Sequence, residues 1–293
     1  MKTVKYQKRF EIIDYVFFII LILFGMVILF PFVNVIAISF STSKEYLNTP
    51  LMLFPSRPTL ENYMTLIKDG RIWIGYRTTT LILMLGVPVN LFFTTSIAYA
   101  LGRQNFFGKK VILYIILFTM LFNGGIIPMY LLMMELKLIN SIWSVVLATG
   151  INTFYMIIMR NYFSTLPESL IESAKLDGAG VWQILFKIIL PLSMPIIATI
   201  TLFYSVDRWN EWFNAMIFVR KNNLITLQLV LRSIVIDSKM QEAMNIVDEG
   251  TLPDFTDGMK MSAVIITMLP IMCVFPFLQK YFVKGVLIGA IKA

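Results

Sequence analysis

Histidine is absent from all 293 residues, and cysteine occurs once, at Cys273. Without histidine there is no imidazole for acid–base work, no Ser-His-Asp triad, and none of the commonest metal ligand. A single cysteine forms neither an internal disulfide nor a thiolate cluster. Set in an apolar run, Cys273 reads as a small buried or lipid-facing side chain. No Gly-x-x-x-x-Gly-Lys-Ser/Thr phosphate loop occurs, so any ATP that drives this protein binds to another chain. Charge is scarce too: 14% of residues are charged and 58% hydrophobic, with a mean hydropathy of +0.77. That balance is too apolar for a soluble globular domain and points to a membrane protein. The net charge of +8 then reflects basic residues on the inner membrane face rather than a nucleic-acid surface.

What is present is a series of apolar runs, each long enough to cross the roughly 30 Å hydrocarbon core. A basic flank, 1–14 with Lys2, Lys5, Lys8 and Arg9, precedes a first span at 15–40. That run is longer than the apolar part of a signal peptide, so an uncleaved span is preferred. A mixed segment, 41–75, carries Pro50, Pro55 and Pro58 and reads as external with short helices. Further spans are expected at Thr78–Leu101, Val111–Met134, Ile142–Met159, Ile188–Val206 and Met261–Val283. The core of five spans thus covers 76–283. An acid-rich external segment, 207–260, precedes the last span, and a tail, 284–293, follows it. Trp209 to Val219 either prolongs the fifth helix or dips back toward the membrane. The segments 1–14, 102–110, 160–187 and 284–293 carry Lys/Arg excesses or near balance, whereas the long segment 207–260 is acid-rich, so the positive-inside bias puts both termini in the cytoplasm. No tandem repeat is visible.

The longest polar break on the inner side is 165–195. Thr165 and Glu168 have capping-box spacing. Leu170, Ile171 and Ala174 share a helical face, and Glu172 can pair with Lys175. Gly178 offers a stop because glycine reaches positive φ without strain. A second short helix then runs into Leu190-Pro191. Patterning alone also allows an ordinary loop on the membrane surface. Glu172-Ser-Ala-Lys-Leu-Asp177-Gly178-Ala179, with Ile188-Ile-Leu-Pro191 and Pro195, resembles the "EAA" signature of ATP-binding-cassette (ABC) importer permeases. Ser173 stands where that family usually has alanine. Further stretches are similar to the carbohydrate-uptake class: Asn62-Tyr63, Phe122-Asn-Gly-Gly-Ile-Ile-Pro-Met-Tyr, Leu136-Lys-Leu-Ile-Asn-Ser-Ile-Trp, Arg160-Asn-Tyr-Phe, and the tail from Tyr281. Within that class the chain is most similar to the lipoprotein/polysaccharide-permease branch, which includes alginate- and pectin-oligosaccharide importers.

The resemblance implies an all-α integral membrane protein with six transmembrane helices and the type I importer permease fold, with 165–187 as the cytoplasmic coupling segment. It implies Glu168, Glu172, Ser173, Ala174, Asp177, Gly178 and Ala179 as residues docking in a cleft of a separate ATPase subunit. Solvated charge and local capping are the plainer account of Glu172 and Asp177. The implied partners are a second homologous permease, two ATPase subunits that bind ATP and Mg, an extracytoplasmic solute-binding protein, and lipid. The implied location is the bacterial cytoplasmic membrane. The chain itself would carry no cofactor, no metal and no catalytic residue, and would not be an enzyme. It would translocate an oligosaccharide, with acidic alginate- or pectin-like sugars as the candidates the branch suggests, by alternating access.

Polar groups inside spans are costly and usually face inward. Asn90, Asn123, Asn152, Tyr155, Thr94 and Thr95 could line a sugar path or simply bind helices together. Trp209, Asn210, Glu211 and Trp212 mix flat rings with hydrogen-bonding groups, which suits a sugar; an interfacial aromatic belt is the alternative. An ABC permease for another small solute stays open. A stand-alone secondary transporter would need paired intramembrane carboxylates or bases for ion coupling, and none stands mid-span. A membrane-embedded enzyme is disfavoured by the missing histidines.

Overall fold

The computed structural model describes residues 12–49, 51–103, 107–243 and 257–290. Residues 1–11 of the expected N-terminal segment, 244–256 of the expected external segment and 291–293 of the tail lie outside the described residues. All regular structure among the described residues is helical. The chain divides into two compact units. One takes the chain up to Lys68 together with Ile234–Ile266; the other takes Asp69–Ser233 together with the chain from Thr267 onward.

Helix α1, Ile12–Ser39, realises the first expected span. It is exposed along nearly its whole length, and only Ala37, Ile38 and Ser39 at its end are buried. An apolar helix bare on all sides needs hydrocarbon or another chain around it. Two short helices follow, α2 at Ser43–Asn48 and α3 at Glu61–Lys68. They explain the Asn62-Tyr63 pair. The Asn62 amide donates to the carbonyls of Ser39 and Ser41 at 3.1 and 2.9 Å, two groups left open where α1 ends. Tyr63 shares a 2.7 Å hydrogen bond with the Ser39 hydroxyl. Ser262 donates to the same Ser39 carbonyl at 3.0 Å.

In the second unit, helix α4 runs Gly70–Gly102 and begins well before Thr78. The early start corrects the 41–75 boundary and has a local cause. The Asp69 carboxylate accepts from the Arg71 backbone N–H at 2.9 Å, capping the helix, and it also pairs with the Arg71 guanidinium. The next three expected spans are each broken. Lys109–Leu121 (α5) and Ile126–Glu135 (α6) meet at 112°, Ile142–Ala148 (α7) and Thr153–Phe163 (α8) at 57°. After α9, Glu168–Leu176, helices Val181–Leu192 (α10) and Met194–Trp209 (α11) meet at 89°. These replace the single helices that apolar run length suggested. At 122–125 the break is built from Gly125 at φ 95°, with the Asn123 side chain accepting from the Gly125 N–H. In α10, Pro191 has no N–H to offer the Lys187 carbonyl, and the preceding turn, Leu185–Ile189, widens to a π-helix. Among the described residues three unbroken helices are long and apolar enough to cross a membrane, or up to six spans if each bent pair is one crossing.

The segment after α11 folds back. Helix α12, Phe213–Phe218, buries Ala215 with Val145, Val146 and Ile82. The turn before α7 fastens it: Asn140 donates its N–H to the Phe218 carbonyl, and its side chain accepts from the Arg220 N–H. Helix α13, Leu227–Ala243, starts where the Thr79 hydroxyl accepts the Leu227 N–H. Gly75 makes room there, since a Cβ would stand 2.9 Å from the Leu227 Cα. Helix α14, Asp257–Ala290, covers the sixth expected span and continues into the expected tail. The largest apolar core joins α4, α8, α9, α10 and α11 through Ala98, Tyr99, Met156, Met159, Ala174, Ile184, Leu185 and Ile200. Within a bilayer such burial stabilises through close van der Waals packing rather than removal from water.

Replacing Asn62 with leucine removes the side-chain donor of the Ser41 carbonyl and leaves the Ser39 carbonyl with Ser262 alone, a cost of about 1–3 kcal/mol. The detergent-solubilised protein should melt several degrees lower; an unchanged melting temperature would refute this account of the Asn62-Tyr63 pair.

Candidate functional site

The hairpin α9–α10 is the first candidate. Helix α9 begins at Glu168 behind Pro167, and the expected capping box does not form. The Thr165 hydroxyl donates to the Tyr162 carbonyl at 2.8 Å, closing the end of α8 instead. Leu170 also turns outward, whereas Ile171 and Ala174 pack into the core. No ion pair joins Glu172 to Lys175 among the described residues. The stop at Gly178 is as expected, with φ 81°. The Ala179 N–H donates to the Ala174 carbonyl at 2.9 Å, and the Gly178 N–H to the Lys175 carbonyl at 3.0 Å. This pair of bonds is a Schellman cap. It gives the Ala-x-x-Asp-Gly-Ala spacing a cause inside the chain: the two alanines flank the cap and Gly178 takes its left-handed position. Gln183 then accepts the Gly180 N–H and opens α10.

Of the predicted docking residues, Glu172, Ser173, Asp177 and Gly178 are exposed, Glu168 and Ala179 are half-buried, and Ala174 is buried. Exposed apolar side chains stand beside the charged ones: Leu176, Val181 and Trp182. Beneath them, Ile184, Leu185 and Ile189 are buried in the core that holds α4, α8 and α11. Trp182 stacks on Phe92 of α4, ring centroids 6.0 Å apart. A push on α9 or α10 therefore reaches the spans through close-packed side chains.

The second candidate is a cavity of about 560 Å³, lined by side chains from α5, α11, α12 and the breaks at 149–152 and 210–212. Beside it lies Arg208, at the end of α11, with only 2% of its surface exposed. Its guanidinium closes the C-terminal end of the half-helix α7. Nε donates to the Asn90 side-chain oxygen at 3.0 Å, Nη1 to the Val145 carbonyl and the Thr149 hydroxyl, and Nη2 to the carbonyls of Val146 and Thr149. All five guanidinium N–H donors are thereby used. The Asn90 amide adds donors to the Thr149 and Gly150 carbonyls at 2.9 and 2.7 Å. Gly86 leaves the space, since a Cβ there would stand 2.9 Å from the Arg208 Nε. On the other side of the break, Asn152 caps α8 by accepting from Phe154 and Tyr155 N–H groups. The Tyr204 hydroxyl accepts the Asn152 N–H and meets Thr94 at 2.7 Å.

The structure brings Asn123, Asn152, Asn210, Glu211 and Trp212 together on the cavity wall. Tyr155 stands behind it and donates to Asp207 at 3.0 Å. Asn90 and Trp209 are not on the wall. Asn90 is fully buried in the Arg208 network, and Thr94 and Thr95 are buried in hydrogen bonds. Trp209 is buried and donates to the Thr267 carbonyl, so it is neither belt nor sugar platform here. Reasoning from sequence missed Asp207 and Arg208, because it ended the fifth span at Val206 and assigned them to an external loop. The available signal was an Asp-Arg pair abutting an apolar run that faces polar residues such as Asn90.

A bundle of broken spans around a polar cavity, with a rigid hairpin at one end, is the architecture of a membrane transport subunit. The chain belongs to the family described as the binding-protein-dependent transport system inner membrane component, matched over residues 94–288. It is a permease component and not an enzyme. It is 37% identical over 287 residues to the polygalacturonan/rhamnogalacturonan transport system permease protein YtcP of Bacillus subtilis, covering 98% of this chain and 99% of that one. Protein LplC of the same organism is 37% identical over 92% of this chain and 90% of its own length. Among solved structures, a bacterial ABC transporter involved in the import of the acidic polysaccharide alginate matches with TM-score 0.82 and 31% identity, over 94% of this chain and 99% of that one.

Arg208→Leu strips the donors from four acceptors at the end of α7 and should lower stability, since each neutral acceptor left unsatisfied costs about 1–3 kcal/mol. Arg208→Lys should recover little, since an ammonium has three donors and no planar fork. Thermal unfolding of the purified protein measures both; a lysine variant as stable as the parent would contradict the capping role.

Proposed function

We propose that this chain is one of two related permease subunits of an ATP-driven importer for an acidic oligosaccharide. The observation that carries the reading is the likeness to the polygalacturonan/rhamnogalacturonan permease along almost the entire length of both chains. The fold match to the alginate importer supports it from a second direction. The cavity suits a sugar, because asparagine, threonine and carboxylate groups match hydroxyls while Trp212 and Phe213 offer apolar rings.

In this reading two ATPase subunits bind ATP and Mg and grip the α9–α10 hairpin, which lies in the cytoplasm with both termini. Basic residues beside the hairpin, Arg103, Lys109 and Arg160, support that orientation through the positive-inside bias. An extracytoplasmic binding protein delivers the sugar. Nucleotide and loaded binding protein each favour one of two states of the bundle, and the sugar crosses as those populations exchange. The core that ties the hairpin to α4, α8 and α11 supplies the stiffness a lever requires.

The direct test is uptake of labelled oligogalacturonate by the assembled transporter in proteoliposomes with ATP inside. Glu172→Lys reverses an exposed charge on α9, and Gly178→Trp places a side chain at positive φ within the Schellman cap. Both variants should insert and assemble, retain ATP hydrolysis, and lose about nine of every ten sugar molecules delivered per ATP, a tenfold fall equivalent to about 1.4 kcal/mol. Full uptake by both variants would rule out the hairpin as the coupling element.

A further inference from the structure

The cavity wall holds two carboxylates, Asp207 and Glu211, against one guanidinium, Arg208. Their hydrogen bonds differ in a way that decides what each can offer a ligand. Every N–H of Arg208 is already donated within the protein. Each oxygen of Glu211 accepts one bond from Asn214, one from its backbone N–H at 3.0 Å and one from its side-chain amide at 2.9 Å, at the start of α12, and Glu211 is half-buried. Asp207 keeps more capacity. It is exposed to the cavity, and its one donor among the described residues is the Tyr155 hydroxyl, on a single carboxylate oxygen. Tyr155 is in turn wedged against Phe203 and Tyr204, ring centroids 5.3 and 5.0 Å away, so the carboxylate is held in one orientation.

A carboxylate with an open oxygen accepts hydrogen bonds and repels other carboxylates. Resting on the saccharide reading above, we infer that Asp207 is a specificity-determining residue of this chain's cavity. Its open oxygen accepts hydrogen bonds from sugar hydroxyls, and its charge turns the carboxylates of an acidic sugar away from this wall. Arg208 cannot serve as the counter-charge that binds those carboxylates, because a ligand would have to break its bonds to α7 first. This wall therefore reads hydroxyls, and the acid groups of the sugar face elsewhere in the assembly. Tyr155 acts as the positioning residue for Asp207.

The test uses the complete transporter in proteoliposomes, with its binding protein preloaded with either trigalacturonate or the fully methyl-esterified, uncharged trisaccharide. Preloading removes the affinity of the binding protein from the comparison. Asp207→Asn should leave ATP turnover with loaded binding protein within about twofold while sugar delivered per ATP falls about tenfold, the usual worth of a hydrogen bond to a charged group. The fall should be larger for the ester than for the acid, because the acid is relieved of like-charge repulsion when the charge is removed. Tyr155→Phe keeps the carboxylate and loses its tether, so it should fall in the same direction but by less, about threefold, because the accepting oxygen itself remains. Delivery per ATP unchanged in Asp207→Asn, or ATP turnover and delivery lost together in both variants, would overturn the assignment. A parent transporter that delivers neither sugar would instead sink the saccharide reading and leave no role for Asp207 in it.

Discussion

The fold turns on how the broken fourth crossing is closed by one buried guanidinium. A helix that stops inside an apolar slab leaves carbonyls that neither lipid nor water can satisfy, each costing about 1–3 kcal/mol if orphaned. Helix α7 stops at Ala148, and Arg208 with Asn90 covers the carbonyls of Val145, Val146, Thr149 and Gly150. The positive charge also meets the negative end of the half-helix. Burying an arginine costs several kcal/mol by itself, so it persists only because every donor finds an acceptor. The polar break at 149–152 then survives beside an open cavity, and the cavity exists because the helices around it do not run straight.

Stiffness at one end and adaptability at the other follow from the same packing. The hairpin α9–α10 is short and capped by hydrogen bonds of its own, and it shares a buried cluster with three long helices. A soluble partner gripping its exposed charges would act on a solid body. Around the cavity, by contrast, the breaks at 122–125 and 149–152 are places where a few dihedral angles can absorb a change of angle between half-helices. Hinges of this kind are a few residues at element ends.

Several sequence signals turned out to have causes inside the chain. The Asp-Gly-Ala of the hairpin is a Schellman cap, and Asn62-Tyr63 fastens the end of α1. The first was legible as a pattern because caps and stops are local, depending on residues a few positions apart; the second was legible only by resemblance, because Asn62 and Tyr63 bond to residues 21 to 24 positions away. The stop of the hairpin was therefore readable in position, whereas the inward face given to Leu170 and the capping box given to Thr165 were errors. Thr165 went astray because its hydroxyl had a nearer acceptor in the preceding helix, and Leu170 because the core took Ile171 and Ala174 instead.

Apolar run length, the missing histidine and the hairpin spacing already specified a helical membrane subunit without chemistry of its own, since hydrocarbon thickness and local capping are properties of consecutive residues. Which polar residue faces the cavity was beyond that reach. Asn90, Trp209 and Asp207 look alike in sequence, each a polar or amphipathic group at or near a span. Only the packing of α4, α7, α8 and α11 against one another buried the first in the Arg208 network, turned the second to the Thr267 carbonyl, and left the third open. The physical reason is that a side chain's partners here lie 50 to more than 100 residues away along the chain, and no local pattern encodes a contact of that separation.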